Sequence, residues 1–178
     1  MNVWLQPGDT TMFHIHSTPS VFLHFSNTNM CSQVKGQDWV NDKAIPGKAW
    51  YRSFSPEIMV HRVTNCGTVP LHVTDAEILS SFDSISKKAP MDFPLLFENE
   101  KAFAYILAKK SFTTGTIYNR GPMIAELVAG EMVYYVDAST GKKTQIKPGG
   151  YRYIEPGAAF SLSFEGNEEV NMVVFEIK

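Results

Sequence analysis

Gly8-Asp9-Thr10-Thr11-Met12-Phe13-His14-Ile15-His16 is the stretch on which the fold turns. Its end alternates with period two, so His14 and His16 sit two residues apart on a predicted strand and face the same side. The same alternation returns over residues 21–26, 50–54, 58–63 and 71–79. It resumes over 103–107, 116–118, 124–128, 132–136, 144–146, 151–154, 160–164 and 170–177. Turn signals separate these runs: Pro7-Gly8-Asp9, Pro46-Gly47, Asn65-Cys66-Gly67, Ser139-Thr140-Gly141, Pro148-Gly149-Gly150, Pro156-Gly157 and Glu165-Gly166-Asn167. Helical periodicity is nearly absent, and only residues 83–88, short and polar, make any case for a helix. Many short strands at this spacing indicate an all-β sandwich or barrel.

An internal repeat divides the chain. At an offset of about 100 residues, Val3-Trp4-Leu5 lands on Tyr105-Ile106-Leu107, Gly67 on Gly166 and Glu77 on Glu176. Tyr51-Arg52-x-x-x-Pro56 recurs at identical spacing as Tyr151-Arg152-x-x-x-Pro156. The repeat predicts two tandem antiparallel β-barrels or jelly rolls, over residues 1–82 and 93–178, joined by a connector at 83–92. The second copy carries a leading strand, over residues 98–105, that the first lacks. The expectation is therefore that the first unit misses its first strand, so that either Met1 is an internal start of a longer chain or another segment or subunit fills the missing edge.

With 178 residues, 44% of them hydrophobic, the chain can bury a proper core. A net charge of -2 without a basic block argues against nucleic acid as a partner. No apolar run approaches a bilayer span, so no membrane partner is expected. The start of the chain has neither a basic nor an apolar leader, which predicts a cytoplasmic protein. Cys31 and Cys66 make no disulfide framework and read as free thiols. Residues 27–48, polar and carrying Trp39, read as a long loop at a barrel mouth.

All five histidines, His14, His16, His24, His61 and His72, lie in the first half. Neutral imidazole is the commonest metal ligand. Three from two neighbouring strands form a facial set with positions left open for water or substrate. His14, His16 and His61 are the predicted metal ligands. His72 carries no motif and reads as structural or surface, and Asn65 as the cap of the turn at Cys66-Gly67.

The order and spacing of these residues resemble the cupin superfamily. Gly8-x5-His14-x-His16 fits its first motif without a gap. Pro56-x4-His61-x3-Asn65 fits its second, except that Ile58 stands where that motif has glycine. The resemblance covers the whole chain and implies a bicupin. It also implies that His14, His16 and His61 hold a divalent ion: Fe(II), slightly favoured, or Zn, Mn or Ni.

Two departures from the pattern matter. Ser20 stands near the position of the motif's glutamate, so the centre has three histidines and no carboxylate, with His24 as a possible fourth nitrogen. At the equivalent positions of the second copy stand Thr116, Tyr118 and Phe160, so that unit reads as metal-free, with Glu126 as the ionisable residue inside it. His24 and Tyr51 are the candidate acid/base groups. Arg52, Phe22 and Ser20 are the candidate substrate contacts, Arg52 for a carboxylate. The expected function is a metal-dependent cupin enzyme acting on a small, anionic molecule, dioxygenase-like or a metal-assisted isomerase or lyase. The alternative is a non-catalytic small-molecule or metal-binding module. By analogy with cupins, a homodimer is expected.

Overall fold

The computed structural model describes residues 1–82, 89–113 and 115–178, and the helix considered over 83–88 lies outside them. The chain divides into two compact units, Met1–Leu79 and Ser80–Lys178.

The first unit holds β1 (Asn2–Leu5), β2 (His14–His16), β3 (Ser20–His24), β4 (Thr28–Val34), β5 (Trp39–Ala44), β6 (Ala49–Arg52), β7 (Met59–Asn65) and β8 (Leu71–Glu77). They form two antiparallel sheets in the orders β1-β8-β3-β6 and β2-β7-β4-β5. Gly8 takes φ 86°, a left-handed conformation that a side chain disfavours, in the turn leaving β1. Its N–H donates to Asn65 O at 2.8 Å. Asn65 is fully buried and caps the turn as expected: its amide donates to Leu5 O and Val69 O, and its Oδ1 accepts from Gly67 N–H.

The second unit holds β9 (Leu95–Glu98), β10 (Ala102–Ala108), a 3-10 turn (Lys109–Thr113), β11 (Met123–Gly130), β12 (Val133–Asp137), β13 (Lys143–Ile146), β14 (Tyr151–Ile154), β15 (Phe160–Phe164) and β16 (Val170–Ile177). Its antiparallel sheets run β14-β11-β16-β10-β9 and β13-β12-β15. The order β6-β3-β8-β1 of the first unit thus recurs as β14-β11-β16-β10 in the second. Phe103, Tyr105, Leu107, Met123, Leu127 and Met172 fill its interior, where the alternation placed them.

The structure differs from the sequence reading at four places. Residues 27–48 form the β4–β5 hairpin rather than a loop, in register from Thr28 opposite Ala44 to Gln33 opposite Trp39. The alternation was hidden because β5 is an edge strand exposed over Trp39 to Lys43, so neither of its faces needs apolar residues. The leading strand of the second unit is two strands, since Asn99 Oδ1 accepts from Lys101 N–H (2.8 Å) and Ala102 N–H (2.9 Å) and turns the chain between β9 and β10. An isolated bridge sets Ile117, not Thr116, opposite Phe160, one residue from the expected register.

Fourth, Cys31 and Cys66 are not free thiols but a disulfide, with Cα atoms 6.0 Å apart. Their separation of 35 residues gave no spacing signal. Pairing of β4 with β7 sets Cys31 opposite Thr64, and the turn after β7 carries Cys66 back to it. A cross-link over such a loop constrains the unfolded chain, an effect typically of about 2–4 kcal/mol.

His72 is structural. It stacks between Trp4 (3.8 Å, 16°) and Phe25 (4.3 Å, 17°), and its Nε2 meets Asn2 Oδ1 at 2.6 Å. Burial lowers its pKa from 6.5 to about 4. Burial, and then the nearby Lys48 charge, lower His24 likewise to about 4. Between these values and 6.5 the unfolded chain binds more protons than the folded one, so stability falls as pH drops through that window. The loss should reach about 2–3 kcal/mol for each ring by pH 4, with little change above pH 7. Urea unfolding at pH 7.5, 5.5 and 4.5 measures it, and His72→Gln should flatten the slope.

Candidate metal centre

β2 and β7 pair so that His14 lies directly opposite His61. His16, two residues on, falls on the same face, and all three rings converge. Ring centroids lie 4.5 Å (His14–His61), 4.9 Å (His16–His61) and 5.0 Å (His14–His16) apart. One ligating nitrogen from each lies within 4.8 Å of the others, and this is the one such group found among the described residues.

The closest approach is His16 Nε2 to His61 Nε2, 3.0 Å. Two imidazole nitrogens about 2.1 Å from one ion and roughly 90° apart have this separation. His14 Nδ1–H donates to Met12 O at 2.9 Å, which fixes the tautomer with Nε2 unprotonated. Burial, then the charges of His14 and His16, lower the His61 pKa to about 4. Burial, then His14, lower that of His16. Both rings are therefore neutral at pH 7, the state that ligates a metal. The donor set, the tautomer and the spacing fit a divalent ion.

Around the imidazoles lie aromatic and apolar groups. Phe54, 4% exposed and at a positive φ of 53°, stacks on His16 at 4.8 Å. Phe22 stacks on Trp50 at 4.8 Å. A cavity of about 330 Å³ opens beside the histidines, walled by Val3, Leu5, Met12, Phe22, Met30, Trp50, Val63, Leu71 and Val73. A second, of about 410 Å³, continues past His16 and His24 to Lys48 and Arg52.

The other expected site residues divide. Phe22 and His24 line both cavities, and Arg52 lines the second with its guanidinium 5.0 Å over the Phe54 ring. Ser20 is fully buried, but its hydroxyl donates to Thr18 O at 3.0 Å. Tyr51 alternates to the opposite face of β6 from Trp50 and Arg52 and is not brought to the histidines. In the second unit Glu126 is buried, and the interior is that of a packed core.

One buried carboxylate escaped the sequence reading. Asp75 on β8 lines the first cavity at 4% exposure. Its signal was the alternation Leu71-x-Val73-x-Asp75, which points a carboxylate into the barrel after two aliphatic side chains.

No protein-family model matches the chain, and no curated protein does. Solved structures do. AerE from Microcystis aeruginosa is 12% identical over 98% of this chain and 85% of its own, with a TM-score of 0.69. The salicylate 1,2-dioxygenase from Pseudaminobacter salicylatoxidans is 9% identical over 98% of this chain and 69% of its own, with a TM-score of 0.63. A conserved barrel domain protein from Leptotrichia buccalis, of the type named cupin 2, is 12% identical over 99% of this chain and 82% of its own, with a TM-score of 0.57. Among the described residues no helix is long and apolar enough to cross a membrane.

Proposed function

From a chain that has the cupin fold and carries three converging imidazoles, we infer a metal-dependent enzyme whose centre is His14, His16 and His61. The observation that carries this reading is the facing of His16 Nε2 and His61 Nε2 at 3.0 Å. Without a metal one ring donates its N–H to the other across this contact, and with both nitrogens unprotonated the same spacing lets them hold one cation. Three neutral ligands leave the ion its full charge, which polarises an oxygen-bearing substrate and favours an anionic one.

The remaining residues divide the work. Phe22, Phe54 and Trp50 shape the chamber and keep water from it. Arg52 and Lys48, on the second cavity, supply the positive charge that an anionic substrate needs. His24, neutral through burial and lining both cavities, is the group able to take or return a proton. The reaction class is that of a dioxygenase or of a metal-assisted isomerase or lyase, with Fe(II) as the favoured ion and Zn, Mn or Ni as the others. A homodimer belongs to the same proposal, whereas the cytoplasmic location expected from the sequence does not. The Cys31–Cys66 disulfide weighs against the cytosol, where such bonds are rare.

Two observations favour the second reading, a non-catalytic binding module: the Ser20 hydroxyl is engaged by Thr18 O, and Tyr51 faces away, which leaves few groups for proton transfer. Anaerobic reconstitution with Fe(II), followed by an oxygen-uptake screen over small carboxylates, thiols and diketones, separates the two. The enzyme reading predicts uptake that His24→Gln lowers by about 10²-fold. Stoichiometric metal with no turnover of any compound, under either Fe(II) or Zn, selects the binding module.

A further inference from the structure

We propose that Asp75 is a positioning residue for the metal centre, holding His16 in the tautomer that presents Nε2 to the ion. The inference rests on the metal reading above, and it comes from two buried groups that lack partners. His16 is 3% exposed and Asp75 4%. His16 Nδ1 and both Asp75 carboxyl oxygens are shut from solvent and make no hydrogen bond. They face one another: His16 Nδ1 lies 3.6 Å from Asp75 Oδ2. That is a few tenths of an ångström beyond a hydrogen bond.

Buried polar groups that stay unpaired are costly and rare, so a mutual orphan pair at this spacing is a contact waiting to close. The Ser20 hydroxyl lies beside the carboxyl and steadies its charge against burial, while its hydrogen bond of 3.0 Å goes to Thr18 O. Burial raises the Asp75 pKa, but in its ionised form the carboxyl accepts and does not donate, and the contact then places the proton on His16 Nδ1. Nε2 is then left unprotonated on the side of His61. His14 is arranged in the same way, with Met12 O taking its Nδ1 proton. Two of the three ligand rings thus have their tautomer set from behind, one by a carbonyl and one by a carboxylate. Ser20, where the resemblance led one to expect a carboxylate ligand, faces Glu77 across the β3–β8 ladder, and Phe22, two residues on, faces Asp75. The acidic group that the sequence lacked on β3 is supplied from β8, behind a ligand rather than on the ion.

The test has two readouts besides turnover. Long-range ¹H–¹⁵N correlation of the metal-free protein reports which His16 nitrogen bears the proton. Competition with a chromophoric chelator reports Co(II) affinity. The wild type should show the Nδ1–H tautomer at His16. Asp75→Asn, which keeps an acceptor oxygen, should keep that tautomer with a smaller loss of affinity. Asp75→Leu should lose the tautomer and bind Co(II) 10–100-fold more weakly, the usual effect of removing such a partner. A proton on Nε2 of His16 in the wild type overturns the proposal whatever the variants do. So does Asp75→Leu with unchanged affinity and an unchanged His16 tautomer. If the wild type binds no Co(II), the metal reading itself fails, and the tautomer of the metal-free protein still decides the role of Asp75.

Discussion

Purified His61→Ala protein is expected to hold less than about a tenth of the metal of the parent, with affinity for a divalent ion reduced by more than the 10–100-fold that removal of a supporting group costs. His61 stands opposite His14 in the β2–β7 ladder and 3.0 Å from His16 Nε2, so its loss leaves two nitrogens and opens one side of the cluster. The same substitution should leave the metal-free fold intact. His61 is half-buried, and alanine on a strand costs under about 1 kcal/mol in propensity. The expected pair of results is therefore near-total loss of metal, by elemental analysis, with a melting temperature of the metal-free protein within about 3 °C of the parent. A histidine that served only to pack the barrel would give the reverse: no change in metal and a marked loss of stability.

The second large effect lies in the second unit. Arg120→Ala should destabilise the chain by about 3–5 kcal/mol, because it strands a buried carboxylate. Glu176 is fully buried. Arg120 holds it in two parallel bonds, Nε to Oε1 and Nη2 to Oε2, each 2.7 Å. Tyr105 O–H donates to Oε2 at 3.0 Å, and Gly121 N–H to Oε1 at 3.3 Å. The guanidinium also donates to Ala89 O from Nη1 and Nη2, each at 3.1 Å. Replacing both charges, as Arg120→Met with Glu176→Leu, should cost less than Arg120→Ala alone, since no charge is then left unpaired. Denaturant unfolding followed by circular dichroism measures both, and a cost below about 1 kcal/mol for Arg120→Ala would show the pair to be solvated.

Arg120 and Glu176 mark where sequence reading ran short. Glu77 and Glu176 match in the repeat, yet Glu77 is exposed and Glu176 buried, because Arg120 comes from a segment with no strand pattern. What was legible depended on period. The inward alternation of Phe103-x-Tyr105-x-Leu107 and Val170-x-Met172-x-Val174 gave the core of the second unit, and His14-x-His16 gave two histidines of the cluster on one face. The third histidine of the cluster was legible only through the spacing from Pro56 to His61 to Asn65. Contacts between residues far apart in the chain left no periodic trace. Cys31 and Cys66 meet because β4 pairs β7, and Asp75 meets His16 across the barrel interior. Tyr51 shows the limit of motif reading, since it neighbours Arg52 in sequence but takes the opposite face of β6.

The central claim is that His14, His16 and His61 make one metal site. Titration of the metal-free wild-type protein with Co(II) at pH 7.5, followed by its visible d–d absorption, tests it most directly. A single saturable transition ending at one ion per chain, absent when all three histidines are replaced by alanine, is the result predicted. Absorption that rises without saturation, or that survives the triple substitution, contradicts it.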